Sequence, residues 1–288
     1  MIKKISHILY RLIKFTDKIF RVLFKRSFLK FFKEFLENDS YKSIIIQNQK
    51  INFFVPNELT EWRVNTFFNK EPETLEWIDS FNNNKKFVLW DIGSNIGLYS
   101  IYTALKHNNC EIISFEPSTS NLRTLSRNIS INNLENKVKI FTNPLTNRSN
   151  EFLTMKESGF SEGGSINSYG VKYDNEGKDF KSLMNYQLCG KSINSILEDK
   201  ILEAPNYIKM DVDGIEHLIL EQADKCLTHN SLISLSIEIN EIFEKQYKMV
   251  LKIMNDYNFK ILHKKHNNKM FNEESKHSKT FNYVFVRK

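Results

Sequence analysis

Apolar residues recur at helical spacing from the start of the chain. Ile2, Ile5, Leu9, Leu12 and Ile13 share one face, Ile19, Phe20, Leu23 and Phe24 continue roughly along it, and the remaining positions are largely cationic. The spacing predicts an amphipathic helix, with a second beginning within Phe28 to Leu36. Residues 41–56 read as short strands around Ile44-Ile45-Ile46 and Phe53-Phe54-Val55, closed by a turn at Pro56-Asn57. Residues 71–81 read as a helix with Pro72 in its first turn, and Asn82-Asn83-Asn84 makes a polar break.

From there strands and helices alternate. Strands are expected at Phe87–Ile92, Glu111–Phe115, Lys137–Phe141, Glu151–Met155, Tyr207–Asp211, Leu232–Ile239, Phe259–His263 and Phe281–Val286. Helices are expected at Ile96–Lys106, Ser118–Ile131, Ile215–Lys225 and Phe243–Asp256. Such alternation implies an α/β fold, a mainly parallel twisted sheet with helices on both faces. Residues 156–190 interrupt it and hold six of the nine glycines, which reads as a flexible insertion or lid beside the site. The expected organisation is a basic helical extension at 1–40, a lead-in packing on the core at 41–85, and the main domain at 86–288.

Charge sharpens this picture. The chain of 288 residues carries formal net charge +7, and residues 1–38, with ten Lys or Arg against three acids, account for all of it. The body is neutral, which argues against a nucleic-acid partner. The extension has the composition of a helix lying on an anionic membrane surface, or of one that caps the domain or pairs with a partner. Lys or Arg interrupts every apolar run there, leaving neither a secretory signal nor a spanning segment. Three widely spaced cysteines, Cys110, Cys189 and Cys226, without a CxxC, fit a reducing, cytoplasmic compartment, peripheral to a membrane if the extension binds one. Nothing in the pattern specifies an oligomeric state.

Candidate chemistry begins at Asp91-Ile92-Gly93-Ser94-Asn95-Ile96-Gly97, which follows an apolar strand and opens a helix. Gly93 suits a tight turn, Gly97 a close approach of helix and strand, and the helix start offers free amides. The loop has an acid where a dinucleotide-binding loop has its first glycine. That carboxylate would repel a pyrophosphate and accept from the ammonium of an amino-acid moiety, favouring S-adenosylmethionine over NAD. Glu116, twenty-five residues beyond Asp91 in Phe115-Glu116-Pro117, is placed to hold a ribose. Asn143 stands after the third strand, where an adenine contact is expected, although Asn143-Pro144 is also a plain turn.

These residues resemble the FkbM-type S-adenosylmethionine-dependent methyltransferases. The likeness rests on Leu89 to Gly97, on Phe115-Glu116-Pro117 with Asn121 and Leu125, on Ser192 to Leu197 and on Ile208 to Glu216, with a lead-in from Asn52-Phe53-Phe54-Val55-Pro56 to Glu71-Pro72-Glu73-Thr74. Ser94 replaces a usual Ala, and Asn194 replaces a common Asp. The resemblance implies a class I Rossmann-like fold with an antiparallel last strand, and methyl transfer, generally to oxygen, on sugars, polyketides and similar small-molecule or glycan-like acceptors.

A second acidic cluster, Asp211, Asp213 and Glu216, ends a strand and starts a helix, where like charges in a crevice suit a general base. The same residues also fit a structural cap, with Asp213 at the helix start and Glu216 completing it. Asp211, Asp213 and Glu238 offer oxygen ligands, but no spacing compels a metal. His217 reads as a helix-surface residue, and His263 and His266 have no informative spacing. Rival readings are an RNA methyltransferase, a nucleotide-dependent oxidoreductase and a non-catalytic membrane-associated module on the same fold.

Overall fold

The computed structural model describes residues 1–266 and 278–288. The extension forms α1 (Ile2–Phe24) and α2 (Leu29–Asn38). A hairpin follows, β1 (Tyr41–Ile46) and β2 (Gln49–Phe54), turning through Gln47 and Asn48, both left-handed. Then come α3 (Glu58–Lys70) and α4 (Pro72–Asp79). The sequence pattern gives no hint of α3, although Asn57 and Thr60 form a reciprocal cap at its start.

The main domain runs β3 (Phe87–Ile92), α5 (Leu98–Lys106), β4 (Cys110–Phe115), α6 (Thr119–Ile131), β5 (Val138–Phe141), β6 (Phe152–Glu157), β7 (Ser168–Tyr169) and β8 (Met184–Cys189). It continues with α7 (Ile193–Glu198), β9 (Tyr207–Met210), α8 (Glu216–Leu220), α9 (Asp224–Leu227), β10 (Ser234–Asn240), α10 (Glu244–Asp256), β11 (Phe259–Lys265) and β12 (Thr280–Arg287). The seven-stranded sheet has the order β11-β12-β10-β9-β3-β4-β5. Strands β5, β4, β3, β9 and β10 are parallel, while β12 runs antiparallel to β10. This is the class I Rossmann-like arrangement, with the reversal expected of the last strand.

The sheet is covered on both faces, and β3 shows how. Phe87 and Leu89 point into a core shared with Phe67 of α3, Ile78 of α4, Ile101 of α5 and Leu125 of α6. Val88, Trp90 and Ile92 point the other way, toward Ile196, Ile219 and Val250. Alternation along a strand buried on both faces produces this split. The lead-in is part of the first core: Phe81 stacks on Tyr207 with ring centroids 3.7 Å apart, and the Trp77 indole N–H donates to Ser234.

Two expectations need correction. The insertion is no bare loop: β7 and β8 pair with β6 in a three-stranded antiparallel sheet, because 184–189 finds a full edge partner in 152–157. The single helix expected over Ile215–Lys225 is divided into α8 and α9. All three cysteines are free, and no helix among the described residues is long and apolar enough to cross a membrane. Replacing Phe81 with Ala should remove the stacked contact and leave a void, costing about 3–5 kcal/mol. Denaturant unfolding of the variant beside the parent checks this.

Candidate active site

Strands β3, β4 and β9 end side by side, and a cavity of about 420 Å³ opens beyond them. Gly93 lines it and turns the chain at φ 85°, where an added Cβ would stand 1.9 Å from the Asp211 carbonyl oxygen. Only glycine lets the β3 loop pass that close to the end of β9. Backbone amides of Gly93 and Ser94 donate to Phe115 O, tying the loop to β4. Gly97 lies outside the cavity and packs its bare Cα against Leu125.

Glu116 lies on the cavity wall with Pro117, Asn95 and Asn143. Its carboxylate accepts from Asn95 N and Ser118 N, each at 2.8 Å. Burial outweighs those amides and raises its pKa to about 8. The Asn95 side chain donates to Gly164 O of the insertion, while its buried Oδ1 has no protein partner. Asn143 donates from Nδ2 to Cys189 O at the end of β8.

Asp91 is placed differently from the expectation. It is fully buried, does not line the cavity, and accepts at 2.6 Å from Ser100 of α5, which also meets Ser114 of β4. The pleat is the reason: residue 91 has the parity of Phe87 and Leu89 and so points beneath α5. Its carboxylate braces the loop from behind, and burial raises its pKa against the pull of Lys209.

Part of the cavity wall is acidic. Asp211, Asp213 and Glu238 line it, joined by Glu71 from the lead-in. Glu71, Asp211 and Glu238 each bring an oxygen within 4.8 Å of the others, a trio able to hold a cation, whereas Asp213 is outside it. Two ammonium groups already sit among them: Lys209 lies 3.3 Å from Asp211, and Lys70 pairs with Glu71. Burial opposes ionisation of Asp211, yet Lys209 and Lys70 hold it below the ordinary carboxylate value. Burial and the charges of Asp211 and Glu71 push Glu238 well above that value. Glu71, Lys70 and Lys209 were not marked as site residues by spacing; the one trace of Glu71 is its place before Pro72 in the lead-in.

Asp213 has a left-handed backbone, φ 58°, and its Oδ2 accepts from Ile166 N at 2.9 Å and Asn167 N at 3.3 Å. Burial, then the neighbouring Asp211 charge, raises it to about 6. Glu216 does not reach the cavity. It folds back onto its own turn, accepting from Val212 N and Gly214 N and from the Gln246 amide. Burial raises it to about 7. His217 is buried against the Phe243 ring rather than on a helix surface, because α10 covers α8 there, and burial lowers its pKa to about 4. His266, passed over by spacing, lines the cavity.

Comparison with known proteins gives this geometry its context. The family model described as the methyltransferase FkbM domain matches residues 91–261. A methyltransferase of Sordaria araneosa, sdnD, is 28% identical over 55% of this chain and 69% of its own. Among solved structures, precorrin-6y C5,15-methyltransferase of Geobacter metallireducens aligns with TM-score 0.43 and 12% identity, over 75% of this chain and 86% of that one. M. capricolum TrmK, in complex with S-adenosyl-homocysteine, aligns with TM-score 0.42 and 12% identity, over 74% of this chain and 67% of that one.

Two outcomes test the cofactor site. Gly93→Ala should abolish S-adenosylmethionine binding in calorimetry, since the methyl cannot coexist with the Asp211 carbonyl. A folded-state pKa raised from 4.5 to about 8 gives a stabilising contribution complete below the unfolded value and lost as pH rises through the folded one. Thermal melts of the unliganded protein between pH 5 and 8, a range of about three units around these values, should therefore show a smaller loss in Glu116→Gln than in the parent. The chain belongs to the FkbM methyltransferase family, whose methyl donor is S-adenosyl-L-methionine.

Proposed function

We propose that the protein methylates a hydroxyl group of a small-molecule or glycan acceptor, bound at the acidic wall of the cavity, and that it works at a membrane surface. What carries this reading is the single cavity lined both by Gly93, Asn95 and Glu116 and by Asp211, Asp213 and Glu238. The residues Gly93, Asn95 and Glu116 fit the cofactor: Gly93 lets the β3 loop close against β9, Glu116 brings a buried carboxyl group to the wall where ribose hydroxyls would lie, and the buried Asn95 Oδ1 has no protein donor. When bound, the cofactor would supply a sulfonium methyl for transfer to an oxygen nucleophile, with the thioether S-adenosylhomocysteine as leaving group.

The acidic wall suits O–H groups. Ionised carboxylates accept from hydroxyls and repel phosphates and other anions. Trp62, 40% exposed, adds an aromatic face at the same cavity. We assign Asp213 as the proton acceptor. Its carboxylate would take the acceptor's O–H proton. Both amide bonds to Asp213 fall on Oδ2, so Oδ1 is the atom we assign to the proton. With a pKa of about 6 it is mostly ionised at neutral pH yet remains an effective base. Asp211, paired to Lys209, and Glu238, raised by its neighbours, position the acceptor. Glu216 shapes the turn that presents Asp213.

Asp213→Asn should lower kcat by roughly 10²–10⁴-fold while calorimetric affinity for the cofactor stays as in the parent. The parent's kcat/KM should rise with pH along an acid limb near 6 that the variant lacks. A panel of sugar and phenolic hydroxyl acceptors, assayed for release of S-adenosylhomocysteine, supplies the substrate. Full turnover in Asp213→Asn would remove it as the base, and amine or carbon acceptors turning over in place of hydroxyls would overturn the acceptor class.

A further inference from the structure

At about 100° of rotation per residue, the six cations of α1 (Lys3, Lys4, Arg11, Lys14, Lys18 and Arg21) fall within less than a third of its circumference. Ile5, Leu9, Leu12, Ile19, Phe20 and Leu23 occupy the opposite side, and all are exposed. Nothing among the described residues covers them: Leu12 is 58% exposed and Leu23 is 69% exposed. On α2, Phe31, Phe32, Phe35 and Leu36 form a second exposed stripe. The stripes meet at the corner, where Phe28 touches Phe20 and Phe32 with ring centroids 5.4 and 5.7 Å apart.

The corner is built. Asp17, the one acid in α1, is 3% exposed and accepts from Arg21, from Ser27 and from the Leu29 amide. That leaves no carboxylate on the outer surface of α1. At the other end of α2, Glu37 pairs with Arg123 at 2.8 Å and Arg127 at 2.7 Å on α6. Arg123 also holds Glu162, next to the Gly163-Gly164 step that reaches the cavity.

We infer that α1 and α2 form a docking surface for an anionic lipid bilayer, lying in its interface with the apolar stripes inward and the α1 cations among the headgroups. This rests on the membrane placement above and not on the methyl transfer. Charge complementarity selects the occupant. A second copy packed through the apolar stripes would leave both rows of cations on the outer sides with no acid to match them, whereas anionic headgroups match them. Phenylalanine, leucine and isoleucine opposite a cationic stripe are the make-up of an interfacial helix.

The test uses the full chain in flotation with vesicles of phosphatidylcholine, alone or mixed with phosphatidylglycerol. Flotation with the mixed vesicles only is expected. Lys3→Glu, Arg11→Glu, Lys14→Glu and Lys18→Glu together should lower partitioning by at least about 100-fold. Leu9→Asp with Leu12→Asp should do the same, by removing the insertion rather than the attraction. Calorimetric binding of S-adenosylmethionine should be unaltered in both variants, because the substituted positions are exposed on α1, so membrane docking and the cofactor site are tested apart. Absence of flotation, or equal flotation with both vesicle types, overturns the inference. So does a dimer in sedimentation that Leu9→Asp with Leu12→Asp dissolves while vesicles fail to bind, since a second copy would then be the occupant.

Discussion

Lys209 is buried at the end of β9, 3% exposed, with its ammonium 3.3 Å from Asp211 and also under the influence of the Asp91 charge on the neighbouring strand. An unpaired ammonium there would be too costly to keep, and so would unpaired carboxylates. The crevice is a solution to both. Lys209 and Lys70 face Glu71 and Asp211, while burial and the crowding charges of Asp211 and Glu71 keep the proton on Glu238. Two charges of each sign then balance, and Asp213, mostly ionised at neutral pH, leaves the crevice with a net negative charge. A net negative charge in a poorly solvated place disfavours anions, so neutral polar acceptors fit there better.

One turn divides two acids between different tasks. Gly214, at φ 106°, and Asp213, at φ 58°, reverse the chain between β9 and α8. The reversal aims Glu216 back at the amides of Val212 and Gly214, and Asp213 outward at the insertion. The insertion answers with a strained residue: Ile166, β-branched, sits at φ 66° as it donates to Asp213. That strain is offset by the charge-assisted bond it permits, and the same segment is held from the other side where Gly164 accepts from Asn95 and Asn121. The cofactor site and the acidic wall are thus spanned by one strap.

The alternation of apolar runs marked the strands of the sheet, because strands buried on both faces leave continuous hydrophobic blocks such as Phe87 to Ile92, while the reversal of the last strand was expected from the family resemblance alone. Residues singled out at the strand ends are brought together, since Gly93, Asn95, Glu116 and Asn143 share a cavity. Asp91 was misdirected because a loop motif carries no record of which side of the pleat its first residue takes. The apolar parity of Trp90 and Ile92 held that information. Glu71 and Lys70 were hidden by distance along the chain, since only the packing of α3 and α4 on the sheet carries them to the crevice. His217 was set on a surface because α8 is too short, at five residues, to show a periodicity, and what buries it comes from α10.

The N-terminal helices raise a question of stability that the domain does not answer. A helix of 23 residues extends about 34 Å, and most helical stability in proteins comes from packing an apolar face. In α1 that face packs on almost nothing. Exposed ion pairs such as Glu37 with Arg123 and Arg127 orient the hairpin but contribute little in water. Firmer attachment comes where Arg127 lies 3.9 Å from the Phe54 ring and where Val55 N donates to Ser40 O. Those contacts fix the base of α2 and leave α1 to its own propensity, braced at the corner by Asp17 and by the contact of Phe20 with Phe28. The order of α1 therefore depends on whatever covers its apolar stripe, which couples the helix to its occupant more tightly than to the domain that carries it.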